Sequence, residues 1–139
     1  MFTITQLCTP LLAAAASKDD PGRIIHIGSV NGERVSSMET YAYGASKAGL
    51  HHLSRALALQ LGSRRITSNT LACGPFPSHM MKATLEQSGD AIVAQVPLER
   101  LGRMEDVAGA CIFLSSRAGS YVNGATIALD GGGLTSPML

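Results

Sequence analysis

Three stretches of the chain have the apolar and polar pattern of β-strands. Residues 23–29, RIIHIGS, form a β-branched run that ends in a glycine and a serine, as short buried strands often do. Residues 65–72, RITSNTLA, form a second run, and residues 124–133, GATIALDGGG, predict a third strand closed by a glycine-rich turn. Polar loops at 30–40 and 73–78 follow the first two strands.

Helical periodicity marks three further segments. Residues 1–16 lack the basic leader of a signal peptide and are too short to span a membrane. They predict instead an amphipathic helix cut from a longer chain. From Tyr41 to Gly62, leucines recur at helical spacing and small residues leave a smooth surface for packing. Residues 104–116 carry one apolar stripe, made of Val107, Ala110, Cys111 and Leu114. Residues 79–100 are less regular.

The order of these elements is typical of a parallel α/β sheet. Helix, strand, helix, strand, loop, helix and strand follow one another without an internal repeat, which predicts strands joined by right-handed crossovers. The predicted fold class is therefore α/β, part of a doubly wound sheet, in one domain over residues 1–139. Such sheets bind ligands beyond the carboxyl ends of their strands, so Ser29 and the loop at 73–78 should lie together.

Composition and charge argue against several classes of partner. The 139 residues are 45% hydrophobic and 15% charged, as in ordinary globular proteins. The net charge of +1 comes from interspersed residues, so no patch predicts nucleic acid or a membrane as a partner. Cys8, Cys73 and Cys111 are odd in number and widely spaced, which indicates reduced thiols and a cytoplasmic setting.

Tyr43 and Lys47 carry the clearest chemical signal. They lie four residues apart, so they share one face of the predicted helix. A nearby ammonium favours the ionised phenol, which suits Tyr43 to exchange a proton with a substrate near neutral pH. Ser29, at the end of the preceding strand, could reach the same point and donate a hydrogen bond to a carbonyl oxygen. The alternative is that Tyr43 and Lys47 only decorate a helix surface, since this spacing alone is common.

Four segments resemble the short-chain dehydrogenase/reductase family, from Met1 to about Gly133. They are RIIHIGSVNG, YAYGASKAGLHHLSRALALQL, ITSNTLACGPFPS and PLERLGRMEDVAGACIFLSSRAGSYVNGATIALDGG, and they are most similar to the 3-oxoacyl carrier-protein reductase-like branch. The resemblance implies the carboxyl-terminal half of a Rossmann-like fold. It also implies an oxidoreductase that interconverts a carbonyl and an alcohol on a hydrophobic or acyl-type small molecule, with NADP or NAD as cofactor and NADP slightly favoured by the branch.

The resemblance also implies roles for individual residues. Ser29 would orient the substrate carbonyl, Tyr43 would be the acid or base, and Lys47 would bind the nicotinamide ribose and tune Tyr43. Tyr43 and Lys47 would therefore contact the cofactor as well, together with the loop residues Gly74, Phe76 and Ser78. Tyr41 would be a neighbour of the site, because the lysine lies six residues after it.

The sequence departs from the family pattern in two places. Cys73 and Gly74 stand where the family usually has proline and glycine. The glycine-rich turn that binds the cofactor's pyrophosphate does not precede residue 22, so the nucleotide-binding strands are lacking. This leaves a second hypothesis, a non-catalytic fragment that acts as a dimerisation or binding module. A homo-oligomer, a dimer or a tetramer, is expected under either hypothesis.

The other clusters predict no separate site. His51 and His52 point about 100° apart on a helix, so structural or solvated histidines are expected and no metal is predicted. Five apolar residues could form a substrate lid or pack on the sheet: Met80, Met81, Leu85, Ile92 and Val93.

Overall fold

Three parallel strands form the sheet, in the order β1-β2-β3. The computed structural model describes residues 1–36 and 38–136. In chain order the elements are α1 (Phe2–Ala15), β1 (Gly22–Ile27), α2 (Tyr41–Leu61), β2 (Ile66–Cys73), α3 (Lys82–Ala94), α4 (Met104–Ser115) and β3 (Thr126–Leu129). Leu71 of β2 lies opposite Ile27 on one side and Ile127 on the other. The predicted α/β class is confirmed, and the three strands end at one edge of the sheet.

β2 is the centre of the core, although half of its residues are polar. Every residue from 66 to 72 is buried. Three of the four polar side chains have hydrogen-bond partners, whereas the Thr70 hydroxyl has none among the described residues. Ser68 shares a hydrogen bond of 3.0 Å with Ser54 of α2. Asn69 donates to the Val122 carbonyl at 2.8 Å and accepts the Ala125 amide at 2.9 Å. A buried polar group costs little once it is hydrogen-bonded, so these residues join β2 to its neighbours.

The helices cover both faces of the sheet. Because side chains alternate along a strand, Ser68 and Thr67 point to opposite faces. Ser68 contacts α2. Arg23 lies opposite Thr67 in the register and donates to the Leu114 carbonyl of α4 at 3.2 Å. α2 and α4 therefore pack on opposite faces.

The structure corrects three of the predicted boundaries. Residues 82–94 form the helix α3 within the segment predicted to be less regular. None of its residues is fully buried, and Ser88 breaks its helical backbone with φ −142° and ψ 20°, so no continuous apolar stripe exists to be recognised. β1 ends at Ile27 and not at 29, and β3 begins at Thr126, two residues later than predicted, whereas the predicted glycine-rich turn does follow it at residues 131 and 132.

The helix α1 was predicted correctly, but its large apolar side chains face outward. Its buried residues are Thr5 and Thr9, whereas four apolar residues are exposed: Phe2, Ile4, Leu7 and Leu11. The described part of the chain supplies no element that covers them. Across those same residues, no helix combines the length and apolar character that a membrane crossing requires.

Candidate functional site

The predicted site residues of α2 meet the carboxyl end of β1. Lys47 donates a hydrogen bond from Nζ to the backbone carbonyl of Ile27, the last residue of β1, at 3.0 Å. Its ammonium also lies 5.6 Å from the centroid of the Tyr43 ring, within the range of a cation–π contact. The predicted shared face of Tyr43 and Lys47 is therefore confirmed, and Lys47 connects that face to the sheet edge.

Ser29 stands two residues beyond the end of β1. Its side chain is buried, and its Oγ accepts a hydrogen bond from the Asn31 amide at 3.2 Å. This contact caps a short 3-10 turn over 30–32. The turn explains why β1 ends before Ser29, because the backbone here bonds to itself instead of to a strand. The hydroxyl uses a lone pair in this contact, so its hydrogen is free to be donated.

His51 is a member of this cluster that the sequence analysis did not identify. Its Nδ1 lies 2.6 Å from Oε1 of Glu33, and its Nε2 lies 3.4 Å from the backbone nitrogen of Ser29. The ring is 1% exposed, whereas the adjacent His52 is exposed. The available signal was spacing: Tyr43, Lys47 and His51 follow one another at intervals of four along α2.

The loop after β2 is held by β3 and by the segment before α4. The Gly74 amide donates to the Leu129 carbonyl at 2.9 Å, which extends the pairing of β2 with β3. A Cβ at Gly74 would lie 2.8 Å from Asp130, so this close approach requires glycine. The Phe76 ring packs so tightly on Gly102 that a Cβ there would overlap it. Ser78 is exposed, and its Oγ accepts the Met81 amide at 3.2 Å.

Cys73 is the last residue of β2 and stands where this loop begins. Burial raises the pKa of its thiol, and the charge of Lys47 acts in the opposite direction. The Lys47 ammonium therefore lies near enough to the start of the loop to act on Cys73 by charge. Next to the loop, a cavity of about 500 Å³ opens between the loop and α3. Its lining includes Ser78, His79, Lys82 and Leu85.

The predicted site residues thus lie where the strands β1 and β2 end. Comparison with known proteins identifies the family. Residues 1–134 match the protein-family model described as enoyl-(acyl carrier protein) reductase. The chain belongs to the short-chain dehydrogenase/reductase family. This membership confirms the resemblance found in the sequence.

Two curated relatives of this dehydrogenase/reductase chain are reductases of acyl thioesters by name. The rhamnolipids biosynthesis 3-oxoacyl-(acyl-carrier-protein) reductase of Pseudomonas aeruginosa is 43% identical over 134 residues, which are 95% of this chain and 52% of that protein. The acetoacetyl-CoA reductase of Cupriavidus necator is 40% identical over 111 residues, which are 80% of this chain and 45% of that protein.

A solved structure with the same fold carries a cofactor. The RhlG/NADP active-site complex of Pseudomonas aeruginosa matches with a TM-score of 0.89 at 42% identity, over 96% of this chain and 54% of that one. The chain spans about half the length of the curated relatives it matches. The predicted partial fold is therefore confirmed, and the roles of the individual site residues stay predictions.

Proposed function

We propose that the protein is an NADP- or NAD-dependent oxidoreductase that interconverts a carbonyl and an alcohol on an acyl-type, hydrophobic substrate. One observation carries the proposal: Lys47 lies between the Tyr43 ring and the end of β1, two residues before Ser29. Such a reaction needs a phenol, an ammonium and a hydroxyl, and these three groups belong to residues near the carboxyl end of β1. We propose residues 1–139 as one domain of this enzyme, which would act as a homo-oligomer.

Tyr43 would carry the proton. In the reductive direction the carbonyl carbon gains a hydride, its π electron pair moves onto oxygen, and that oxygen takes the phenolic proton of Tyr43. The nicotinamide, when bound, supplies the hydride or accepts it in the reverse direction. In that reverse direction the Tyr43 phenolate takes the proton back from the alcohol. The Lys47 ammonium stabilises the phenolate by charge.

Ser29 would hold the substrate oxygen. Its Oγ accepts from the Asn31 amide, so the hydroxyl hydrogen can point toward a substrate carbonyl. A hydrogen bond at this oxygen favours the state in which negative charge develops there. Ser29 would therefore orient the carbonyl and lower the barrier to hydride addition.

The chemistry of the polar groups fits a nicotinamide cofactor. The Lys47 ammonium has three N–H donors, and one of them is hydrogen-bonded to the Ile27 carbonyl. Two donors therefore remain for ribose hydroxyls. Gly74 and Phe76 would border the nicotinamide, and the exposed Ser78 hydroxyl would donate to a phosphate. The NADP complex of the RhlG structure supports NADP as the first choice.

The names of the relatives support a thioester substrate. The reductases from Pseudomonas aeruginosa and Cupriavidus necator are named for a 3-oxoacyl carrier-protein and for acetoacetyl-CoA. Both names describe a ketone two carbons from a thioester. The proposed substrate class for this protein is accordingly a 3-oxoacyl thioester.

The decisive experiment compares two tyrosine variants in the protein as its source produces it. The intact mass of that polypeptide is measured first, and the purified protein is then assayed for oxidation of NADPH by acetoacetyl-CoA. Tyr43→Phe should lower kcat by about 100-fold or more, because it removes the phenolic hydroxyl that carries the proton in the proposed mechanism. Tyr41→Phe is the matched control, since it also removes one phenolic hydroxyl, from a side chain that is 79% exposed. A folded and fully active Tyr43→Phe variant would remove Tyr43 from the mechanism.

A binding module is the second candidate, and the exposure of α1 favours it. Leu7 and Leu11 are 73% and 74% exposed on an apolar helix, and large apolar patches of this kind mark interaction surfaces. β1 also pairs on one side only within the described residues, which leaves a strand edge free to associate. Sedimentation of the 139-residue chain tests this candidate, because a strictly monomeric chain would count against it.

A further inference from the structure

We infer that His51 is a positioning residue for Ser29, and that Glu33 selects the ring tautomer in which it can act. The inference rests on the proposed function, since it concerns the serine that the mechanism uses. It assigns a role to a histidine that lies outside the serine, tyrosine and lysine set.

The hydrogen bonds of the ring define its tautomer. Glu33 is a carboxylate and can only accept, so at 2.6 Å from it Nδ1 must carry the hydrogen. In the neutral ring Nε2 is then bare, and its lone pair accepts the Ser29 amide hydrogen across 3.4 Å. The other tautomer would place two donors against each other at Ser29 and two acceptors against each other at Glu33.

The packing around the ring removes its freedom to turn. A Cβ at Gly28 would overlap Nε2, and one at Gly32 would lie 2.8 Å from Cε1. The two glycines therefore let the backbone on both sides of Ser29 close onto the imidazole. His51 is 1% exposed, so water does not compete for its nitrogens. The ring is held in one orientation, with Nε2 directed at the Ser29 amide.

His51 lies on the same helix as the proton carrier, so its contact with Ser29 relates the positions of Ser29 and Tyr43. Tyr43, Lys47 and His51 lie at intervals of four on the same helix, so one rigid element carries all three. Lys47 fixes the end of β1 through Ile27, and His51 fixes Ser29 two residues later. The hydroxyl of Ser29 is thereby held at a set distance from the proton carrier. Without His51, the buried Ser29 amide would lose its partner, and the turn that it begins would shift.

The first test reads the tautomer directly and does not depend on activity. Nitrogen chemical shifts of the histidine rings are measured in the protein as its source produces it, with His51 assigned from the signal that His51→Gln removes. We expect the hydrogen on Nδ1, facing Glu33, and a bare Nε2 facing the Ser29 amide. A hydrogen on Nε2, or rapid exchange between the two tautomers, would overturn the inference whatever the kinetics show.

The second test separates positioning from simple support of the fold. His51→Leu should lower kcat by about tenfold or more, because small displacements of a reacting group are costly, while the KM for NADPH stays within about twofold. His51→Gln should recover most of that loss, since its amide oxygen can accept the Ser29 amide. The control is His52→Leu, which changes the exposed neighbour and should leave kcat unchanged.

The outcomes distinguish this inference from the proposed function. If a folded His51→Leu variant retains full kcat, or if His51→Gln is no better than His51→Leu, His51 does not position Ser29. If Ser29→Ala retains full kcat while the tautomer is as expected, the proposed role of Ser29 fails, and with it the catalytic consequence of His51. If His51→Leu does not fold, the tautomer measurement on the unmodified protein still decides.

Discussion

Leu71 offers the sharpest test of how the sheet holds the site. It is 0% exposed in the central strand, between Ile27 and Ile127, and its carbonyl accepts the Gly28 amide at 2.7 Å. Leu71→Ala removes three buried carbons, each worth about 0.8 kcal/mol of burial, so the transfer loss is about 2.4 kcal/mol. The cavity left behind adds to this loss and brings the expected cost in free energy of unfolding to about 2–5 kcal/mol.

Urea unfolding followed by far-ultraviolet circular dichroism measures this cost, because the chain has no tryptophan for fluorescence. The matched control is Leu59→Ala on α2, where the side chain is 79% exposed and the change should stay within about 0.5 kcal/mol. The slope of the free energy against urea should be unchanged in both variants. A cost for Leu71→Ala below about 1 kcal/mol, or one equal to that of the control, would refute the placement of Leu71 in a close-packed core.

Two further predictions concern acid stability and the site loop. The hydrogen bond from Arg100 lowers the pKa of Asp106 from 3.8 to about 2, so the ionised carboxyl stabilises the fold fully above 3.8 and loses this effect as the pH falls through about 2. Asp106→Asn should flatten the fall in the urea midpoint over that range, and an unchanged fall would contradict the assignment. Gly102→Ala should displace the Phe76 ring and raise the KM for NADPH by about tenfold, whereas Gly109→Ala, where a Cβ meets open space, should not; equal KM values would refute this.

Local patterns in the sequence predicted the parts of the fold that depend on near neighbours along the chain. α2 could be recognised because its leucines recur at helical spacing, and the structure places Leu57 in the core as that spacing requires. The pairing of Tyr43 with Lys47 was predictable for the same reason, since four residues on a helix bring two side chains to one face. These features need no information about the rest of the molecule.

The features that were missed depend on contacts across the fold. α3 could not be recognised because it buries no residue completely and is interrupted at Ser88, so its sequence lacks the stripe that a packed helix shows. The exposure of α1 could not be predicted from the sequence either. Its apolar residues predict a helix covered by another element, whereas no element among the described residues covers them. Hydrophobic pattern indicates which side chains favour burial but does not identify the surface that buries them.

The histidine cluster shows the same limit at the site itself. Glu33 and His51 are 18 residues apart, and Ser29 and His51 are 22 apart. Nothing local joins them: the parallel sheet first brings the end of β1 under α2, and Gly28 and Gly32 then allow the backbone to approach the ring of His51 closely. Once that geometry exists, a buried imidazole must satisfy both nitrogens, and only one tautomer can serve a carboxylate and an amide together. His51 therefore acquires its proposed role from the fold, whereas Tyr43 and Lys47 show theirs already in the helix.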